Sequence, residues 1–340
     1  MRYPFEQYLY LSLATFIFVG FLTPIMRKLA LRVGAVDKPN MARKVQSEPV
    51  PYLGGIAIVI GVFVATYTTA FVKDKNVGLA STVLIPAVIM AIMGLLDDLR
   101  GLPPWPRLIT QTIVGIAVAA ILIATDTIGT PAHIFIVDAI ITTIWIVGVC
   151  NSINFFDNLD GGAAGTVVVI SAFTFLIAYD RGQLMISALS IVTAGATAGF
   201  LIWNRPPARI YMGDAGALFL GIIVAVLTIR LQPDIHPMWK SLAIPLLLMA
   251  VPLLDTTVAV TSRLARGISP FTGGRDHLSH RLMRKGIERR SAAISLWALA
   301  GVYGTTAYAI YKNQSGSLIL LAAITWISLY IFFMRIPASD

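Results

Sequence analysis

Between positions 151 and 162 the chain reads NSINFFDNLDGG, a polar run held between two of its most apolar segments. Asn151, Asn154, Asp157 and Asp160 recur at every third position, which makes successive members neighbours if one helix runs through all four. Amide and carboxylate oxygens in such a strip suit a hard cation such as Mg²⁺, which shares its oxygen ligands with the phosphates of a substrate. The competing reading makes Asp160 the N-cap of the following helix and gives the asparagines to loop hydrogen bonds. Capping accounts for one residue of the four.

Other polar residues could complete such a site. Asp97 and Asp98 stand together in GLLDDLRGL at the end of an apolar run. Adjacent carboxylates at a helix C-terminus repel each other and oppose the dipole, so a metal, a basic partner or a functional role should compensate them. Asp214 lies in YMGDAGAL with a glycine on either side. It could cap the next helix, and the backbone N–H groups of that helix N-terminus could meet phosphate. Residues 263–290 carry eight cationic residues together with His277 and His280. Arginine forks and imidazole donors suit a pyrophosphate, whereas the bland alternative is a basic helix lying on anionic lipid. Two histidines without cysteine fall short of a zinc site. Asp255 is costly inside an apolar run and should face the protein interior.

These residues need elements to hold them, and composition says which kind. Of 340 residues 57% are hydrophobic and 13% charged, where soluble domains carry about 25% charged residues. The chain is expected to be an all-α polytopic membrane protein, because its apolar runs are continuous and do not alternate as barrel strands do. Eleven runs qualify: 8–29, 53–72, 79–96, 107–125, 132–150, 163–179, 184–202, 215–231, 240–262, 291–311 and 316–334. The first lacks a basic n-region and a small-residue cleavage site, and reads as a retained helix. Of the 26 Lys and Arg, nineteen fall on one face and seven on the other. The positive-inside rule then puts the N-terminus outside, with the C-terminus and all the candidate residues on the cytoplasmic side. The charge of +9 is thus a topology signal, and nucleic acid is not an expected partner. One cysteine, Cys150, excludes an internal disulfide. Residues 1–340 read as a single integral-membrane domain in which 263–290 form a basic cytoplasmic loop. An acidic ring facing a basic loop at the lipid interface fits Mg²⁺ and a phosphorylated substrate, with a lipid acceptor arriving sideways from the leaflet.

The motifs DKPNMARK, PVPYLGG, GLLDDLRGL, NSINFFDNLDGG, NRPPARIYMGDAGAL and GGRDHLSHRL, in that order, resemble the polyprenyl-phosphate N-acetylhexosamine-1-phosphate transferases over nearly the whole chain. The resemblance leans to the WecA/TagO-like branch; the phospho-MurNAc-pentapeptide translocases carry three adjacent histidines where this chain has His277-Leu278-Ser279-His280. It implies Asp97, Asp98 and Asp157 as catalytic residues and Asp214 with Asn154 as Mg²⁺ ligands, with Mn²⁺ as a substitute. It further implies Asp160, Tyr211 and Asn204 at the nucleotide, and Arg275, His277, His280, Arg107 and Lys44 at phosphate. Two departures stand out: Ser279 replaces a histidine of the HLHHRL form, and Arg107 stands where lysine is usual.

The reaction implied joins UDP-N-acetylhexosamine, UDP-GlcNAc above all, to undecaprenyl or another polyprenyl phosphate. It yields polyprenyl-diphospho-sugar and UMP, the first lipid-linked step of cell-envelope polysaccharide synthesis, in the bacterial inner membrane. Direct attack is favoured over an aspartyl intermediate, because a phosphomonoester with a second pKa of about 6 is already largely dianionic at neutral pH. The alternatives are another UDP-hexosamine transferase, including the pentapeptide translocase, and more distantly a secondary transporter, whose acids would lie near the bilayer midplane. Sugar epimer, prenyl length and oligomeric state, a homodimer included, stay open.

Overall fold

The computed structural model describes residues 3–37, 49–72 and 77–338. Among them run α1 (Phe5–Val33), β1 (Val36–Asp37), β2 (Val50–Pro51), α2 (Gly54–Val72), α3 (Val77–Arg100), α4 (Pro104–Ala124) and α5 (Phe135–Phe156). Then follow α6 (Gly162–Asp180), α7 (Leu184–Asn204), α8 (Gly213–Arg230), α9 (Met238–Leu248), α10 (Ala250–Ala265), α11 (Leu278–Arg284), α12 (Arg289–Asn313) and α13 (Gly316–Met334). Ten of these helices are long and apolar enough to cross a membrane. The expected all-helical membrane protein is therefore what is seen, apart from one two-residue ribbon.

The expected continuous span over 240–262 is corrected: α9 and α10 meet at 73° and make an eleventh span only if taken together. Pro252 explains the break, because it lacks the N–H that would bond the Leu248 carbonyl and its ring crowds that oxygen.

In a membrane protein a helix that is apolar on all sides can face lipid or lie inside the bundle, and α8 lies inside. In α8 every residue from Ala215 to Arg230 is buried, and α3, α5 and α2 pack around it. Outside this core α1 packs on α7, and α6 lies between α7 and α12. Phe21, Ile113 and Leu320 are among the large side chains left exposed on the outer helices, as a lipid-facing surface requires.

Small residues let membrane helices approach closely, and one such approach sets the position of the polar residues. A Cβ on Gly94 of α3 would lie 2.4 Å from the carbonyl carbon of Asp214. Only glycine admits the first turn of α8 so near to α3, three residues before Asp97.

The ribbon fastens the loop that enters α8. β1 and β2 pair antiparallel with Val36 opposite Pro51. Tyr211 N–H donates to the Pro51 carbonyl at 2.8 Å, and Gly54 and Gly55 N–H donate to the Tyr211 and Met212 carbonyls at 3.0 and 2.9 Å. PVPYLGG is thus a splint for YMGDAG.

Candidate active site

The end of α3, the start of α4, the end of α5 and the start of α8 converge. Asp97 Oδ1 accepts from Leu102 N–H at 2.7 Å and Oδ2 from Arg107 Nη1 at 2.8 Å. The same Nη1 lies 2.7 Å from Asp214 Oδ2. Asn154 Nδ2 donates to Asp214 Oδ1 at 2.8 Å. Asp98 turns the other way, accepting from the N–H groups of Asp214 at 2.9 Å and Ala215 at 3.1 Å. The compensation that the paired aspartates require is therefore divided: a guanidinium serves Asp97, and the N-terminus of α8 serves Asp98.

Two candidate readings change here. The α8 N-terminus, which could meet phosphate, has two of its first N–H groups taken by Asp98. Asp214 was a candidate cap, yet Met212 occupies the N-cap and Asp214 lies in the first turn. Gly213 begins the helix at φ 70° and a Cβ there would come within 2.6 Å of Asp98 Oδ2, so both the backbone and the contact require glycine.

The strip of oxygen ligands is likewise corrected. Helix α5 ends at Phe156, with Asp157 as its C-cap, so only Asn151 and Asn154 share a helix. Asn151 points away, donating through Nδ2 to Gln111 Oε1 at 2.6 Å. Asp160 does not cap α6, whose N-cap is Gly161; its Oδ2 accepts from Ala208 N–H at 3.0 Å. Chain reversal, and not helical periodicity, brings Asp157 and Asp160 to the same hollow.

That hollow is a cavity of about 370 Å³ whose wall includes Asp37, Asp98, Asp157, Asp160 and Asp214, with Asn154, Tyr211, Asn204 and His280. Arg289 is the one arginine in that wall among the described residues. Asp157 is half-buried and its carboxyl is pushed up to about 7, by burial first and then by the charges of Asp214 and Asp160. Burial, and secondarily the carboxylates of Asp160 and Asp37, push the Tyr211 hydroxyl up. Burial and the neighbouring His277 lower His280 to about 4, so its ring is neutral at pH 7.

The expected residues divide into those in the wall and those behind it. Asn204 lines the cavity but spends its amide on the loops, accepting from Gly161 N–H and donating to the Ile210 carbonyl, both at 3.0 Å. His277 lies behind, 5% exposed. Its Nδ1 is 2.7 Å from Asp255 Oδ2 and its Nε2 3.1 Å from Arg263 Nη2. That network makes Nδ1 the protonated nitrogen and Nε2 the acceptor. Asp255 also accepts from Leu278 N–H at 2.7 Å, so it faces the interior as its cost in lipid demands. Arg275 precedes this pair in the loop, half-buried and outside the cavity wall. Lys44 lies outside the described residues.

The basic loop is anchored, not loose. Arg281, 1% exposed, donates from Nε to the Asp276 carbonyl at 2.8 Å, from Nη2 to Ser262 Oγ at 2.8 Å and from Nη1 to the Phe333 carbonyl at 2.6 Å. Arg263 Nε bonds Asp276 Oδ2 at 2.8 Å. Ser279 bonds Asn158, joining the loop to the NSINFFDNLDGG segment.

Reading the sequence by motif missed Asp37, Tyr52 and Arg289 as parts of the wall. Asp37 and Tyr52 sit in DKPN and PVPYLGG, so their motifs were the signal. Arg289, one cation among eight in its loop, carried none.

Among the described residues, five carboxylates, one arginine and a neutral imidazole line the hollow, a balance that favours a cation beside a bound diphosphate. Carboxylate and amide oxygens are the donors a Mg²⁺ ion takes. No cluster of three or more His, Cys, Asp or Glu forms a ready cage among the described residues.

Residues 80–232 match the model of glycosyl transferase family 4. The chain is similar to a probable undecaprenyl-phosphate N-acetylglucosaminyl 1-phosphate transferase of Bacillus subtilis (strain 168), with 30% identity covering 93% of this chain and 85% of that protein. It is similar to a decaprenyl-phosphate N-acetylglucosaminephosphotransferase of Mycolicibacterium smegmatis, with 29% identity over 94% of this chain and 87% of that one. A phospho-N-acetylmuramoyl-pentapeptide-transferase of Streptococcus mutans is 31% identical over 54% of this chain and 60% of its own length.

Proposed function

Since the chain belongs to glycosyl transferase family 4, together with the polyprenyl-phosphate N-acetylglucosamine-1-phosphate transferases, we propose that it transfers N-acetylglucosamine 1-phosphate from UDP-N-acetylglucosamine to undecaprenyl phosphate. The carrier phosphate oxygen attacks the sugar-bearing phosphorus, the bond bridging the two phosphorus atoms breaks, and UMP leaves with its electron pair. The observation that carries this reading is the acidic cavity at the meeting of α3, α5 and α8, whose wall combines Asp98, Asn154, Asp157 and Asp214.

Asp214 and Asn154 would hold a Mg²⁺ ion. When bound, it supplies relief of charge repulsion between the two phosphate substrates and stabilises charge on the leaving phosphate. The other roles belong to the chain's own side chains. Arg107, between Asp97 and Asp214, holds the two helix ends at a fixed separation. Asp98 clamps the peptide that carries Asp214. Both oxygens of Asp98 are occupied by N–H donors and Asp97 is held by Arg107 and Leu102, which makes either a poor nucleophile. Direct attack by the carrier is therefore favoured over an aspartyl intermediate. Tyr211 and Asp160 take the uridine side, and His280 and Arg289 the diphosphate. By the bias of Lys and Arg, the cavity faces the cytoplasm of a bacterial inner membrane and the N-terminus lies outside.

The test is an assay with purified protein, undecaprenyl phosphate, Mg²⁺ and radiolabelled UDP-N-acetylglucosamine, alongside Asp214→Ala. Metal-dependent label in the lipid phase that disappears in the variant is expected. Label only with UDP-N-acetylgalactosamine or UDP-MurNAc-pentapeptide would move the donor assignment, and no turnover with any donor would overturn the reading.

A further inference from the structure

At the other end of α8, roughly 26 Å from Gly213 at about 1.5 Å per residue, lies a second cavity of about 410 Å³. Its wall comes from the start of α1, the end of α2 and the starts of α3 and α7, and is mostly apolar, including Leu79, Leu184, Leu189 and Val192. A neighbouring hollow of about 270 Å³ shares Leu11, Leu184 and Ala188 with it, so the apolar groove continues along α1 and α7.

Arg230, the last residue of α8, lines this cavity. It is 5% exposed, and its Nε and Nη1 are buried without a hydrogen-bond partner among the described residues. Two polar residues at this end of the bundle are engaged elsewhere. Asp234 pairs with Arg181 at 2.8 Å. Gln183, also in the wall, donates to the Arg230 carbonyl at 3.2 Å and accepts from Gln232 N–H at 3.1 Å, so its amide serves backbone. A second polar atom in the same wall, Thr66 Oγ1, is likewise buried and unpartnered.

A buried guanidinium without a counter-charge is expensive, and an ionisable group within a span marks a functional position. The planar fork matches phosphate oxygens, and the apolar wall matches a hydrocarbon chain. One guanidinium balances the single charge of a phosphodiester; a phosphomonoester, at about −1.5 to −2 near neutral pH, would leave charge uncompensated in an apolar hollow. We propose that Arg230 and Thr66 bind the phosphodiester headgroup of an anionic glycerophospholipid, whose acyl chain fills the cavity, in the leaflet opposite the Asp214 end.

The test uses the full chain, delipidated in an uncharged detergent. Thermal unfolding and native mass spectrometry are followed with phosphatidylglycerol, phosphatidylcholine, undecaprenyl phosphate and inorganic phosphate as separate additions. Phosphatidylglycerol is expected to be retained and to raise the unfolding temperature of the wild type, and the other three to do so much less. Arg230→Gln should weaken phosphatidylglycerol binding by about tenfold or more, the weight of a lost charge-assisted hydrogen bond, while being no less stable than wild type without lipid. Thr66→Val should weaken it by a smaller factor, and Ala188→Phe, which fills the groove, should block it; these two decide the matter if Arg230→Gln does not fold. Equal shifts with phosphatidylcholine, a shift from inorganic phosphate as large as from the lipid, stronger binding of undecaprenyl phosphate, or unchanged retention by the variants would each overturn the proposal.

Discussion

The carboxylate of Asp98 is bound by the backbone N–H of Asp214 at 2.9 Å, so one aspartate fixes the peptide on which another is mounted. The pair DD on α3 is therefore not two equivalent acids. Asp97 belongs to Arg107, and Asp98 belongs to the first turn of α8.

This division ranks the substitutions. Asp98→Asn keeps the shape and one acceptor oxygen, whereas Asp214→Ala removes the side chain proposed to hold the metal. Asp214→Ala should lower kcat by on the order of 10²–10³, and Asp98→Asn by clearly less. Rates at saturating Mg²⁺ check this, and the opposite ranking would favour an aspartyl intermediate.

Arg107 competes with any cation for Asp214 Oδ2, since its Nη1 lies 2.7 Å away. Arg107→Gln should therefore lower the Mg²⁺ concentration needed for half-maximal activity while lowering kcat. Arg107→Lys retains the charge, and because a single nitrogen makes both contacts it should stay within about tenfold of wild type. A Mg²⁺ titration of the three proteins separates these effects.

Two groups give opposite pH dependences to the metal-free protein. Asp157, raised to about 7, binds its proton more tightly folded than unfolded. The stability it contributes is complete below the usual carboxylate pKa of about 4 and is lost as pH rises through 7. His280, lowered to about 4, contributes stability that is present above about 6.5 and lost as pH falls through 4. Asp157→Asn, which mimics the protonated acid, should raise the unfolding temperature at pH 7.5 more than at pH 4.5. A pH series of thermal unfolding in the presence of a chelator checks the sign.

Behind the cavity, His277 and Asp255 form a buried pair at 2.7 Å. Asp255→Ala leaves the imidazole and Leu278 N–H without their acceptor and should cost about 3–5 kcal/mol. Asp255→Asn, which still accepts from Leu278 N–H, should cost less. Loss of stability larger than loss of kcat in the folded fraction would mark Asp255 as a positioning residue.

Much of the molecule is legible without coordinates because the bilayer imposes a rule that acts locally. A span must be long, apolar and helical, so ten of the eleven apolar runs match unbroken helices. The exception, at Pro252, depends on the neighbouring α12 and α13 accommodating a bend that the apolar count does not reveal. Cys150, fully buried, also sits where its apolar character suggests.

The sequence by itself determined the helical membrane architecture and the short motifs in which the polar residues cluster. It determined these because hydropathy, turn chemistry and the cost of buried charge are properties of a residue and its near neighbours. Only the tertiary structure decided partnership: that Arg107 bridges Asp97 and Asp214, that Asp98 holds backbone, that His280 lines the cavity while His277 stands behind it, and that Asp37, Tyr52 and Arg289 join the wall. These pairings depend on where α3, α5 and α8 cross, which is set by close packing at Gly94 and by the Pro51–Tyr211 splint. A regular spacing of polar residues records the linear order of the chain; which oxygen faces which nitrogen depends on helices far apart in that order.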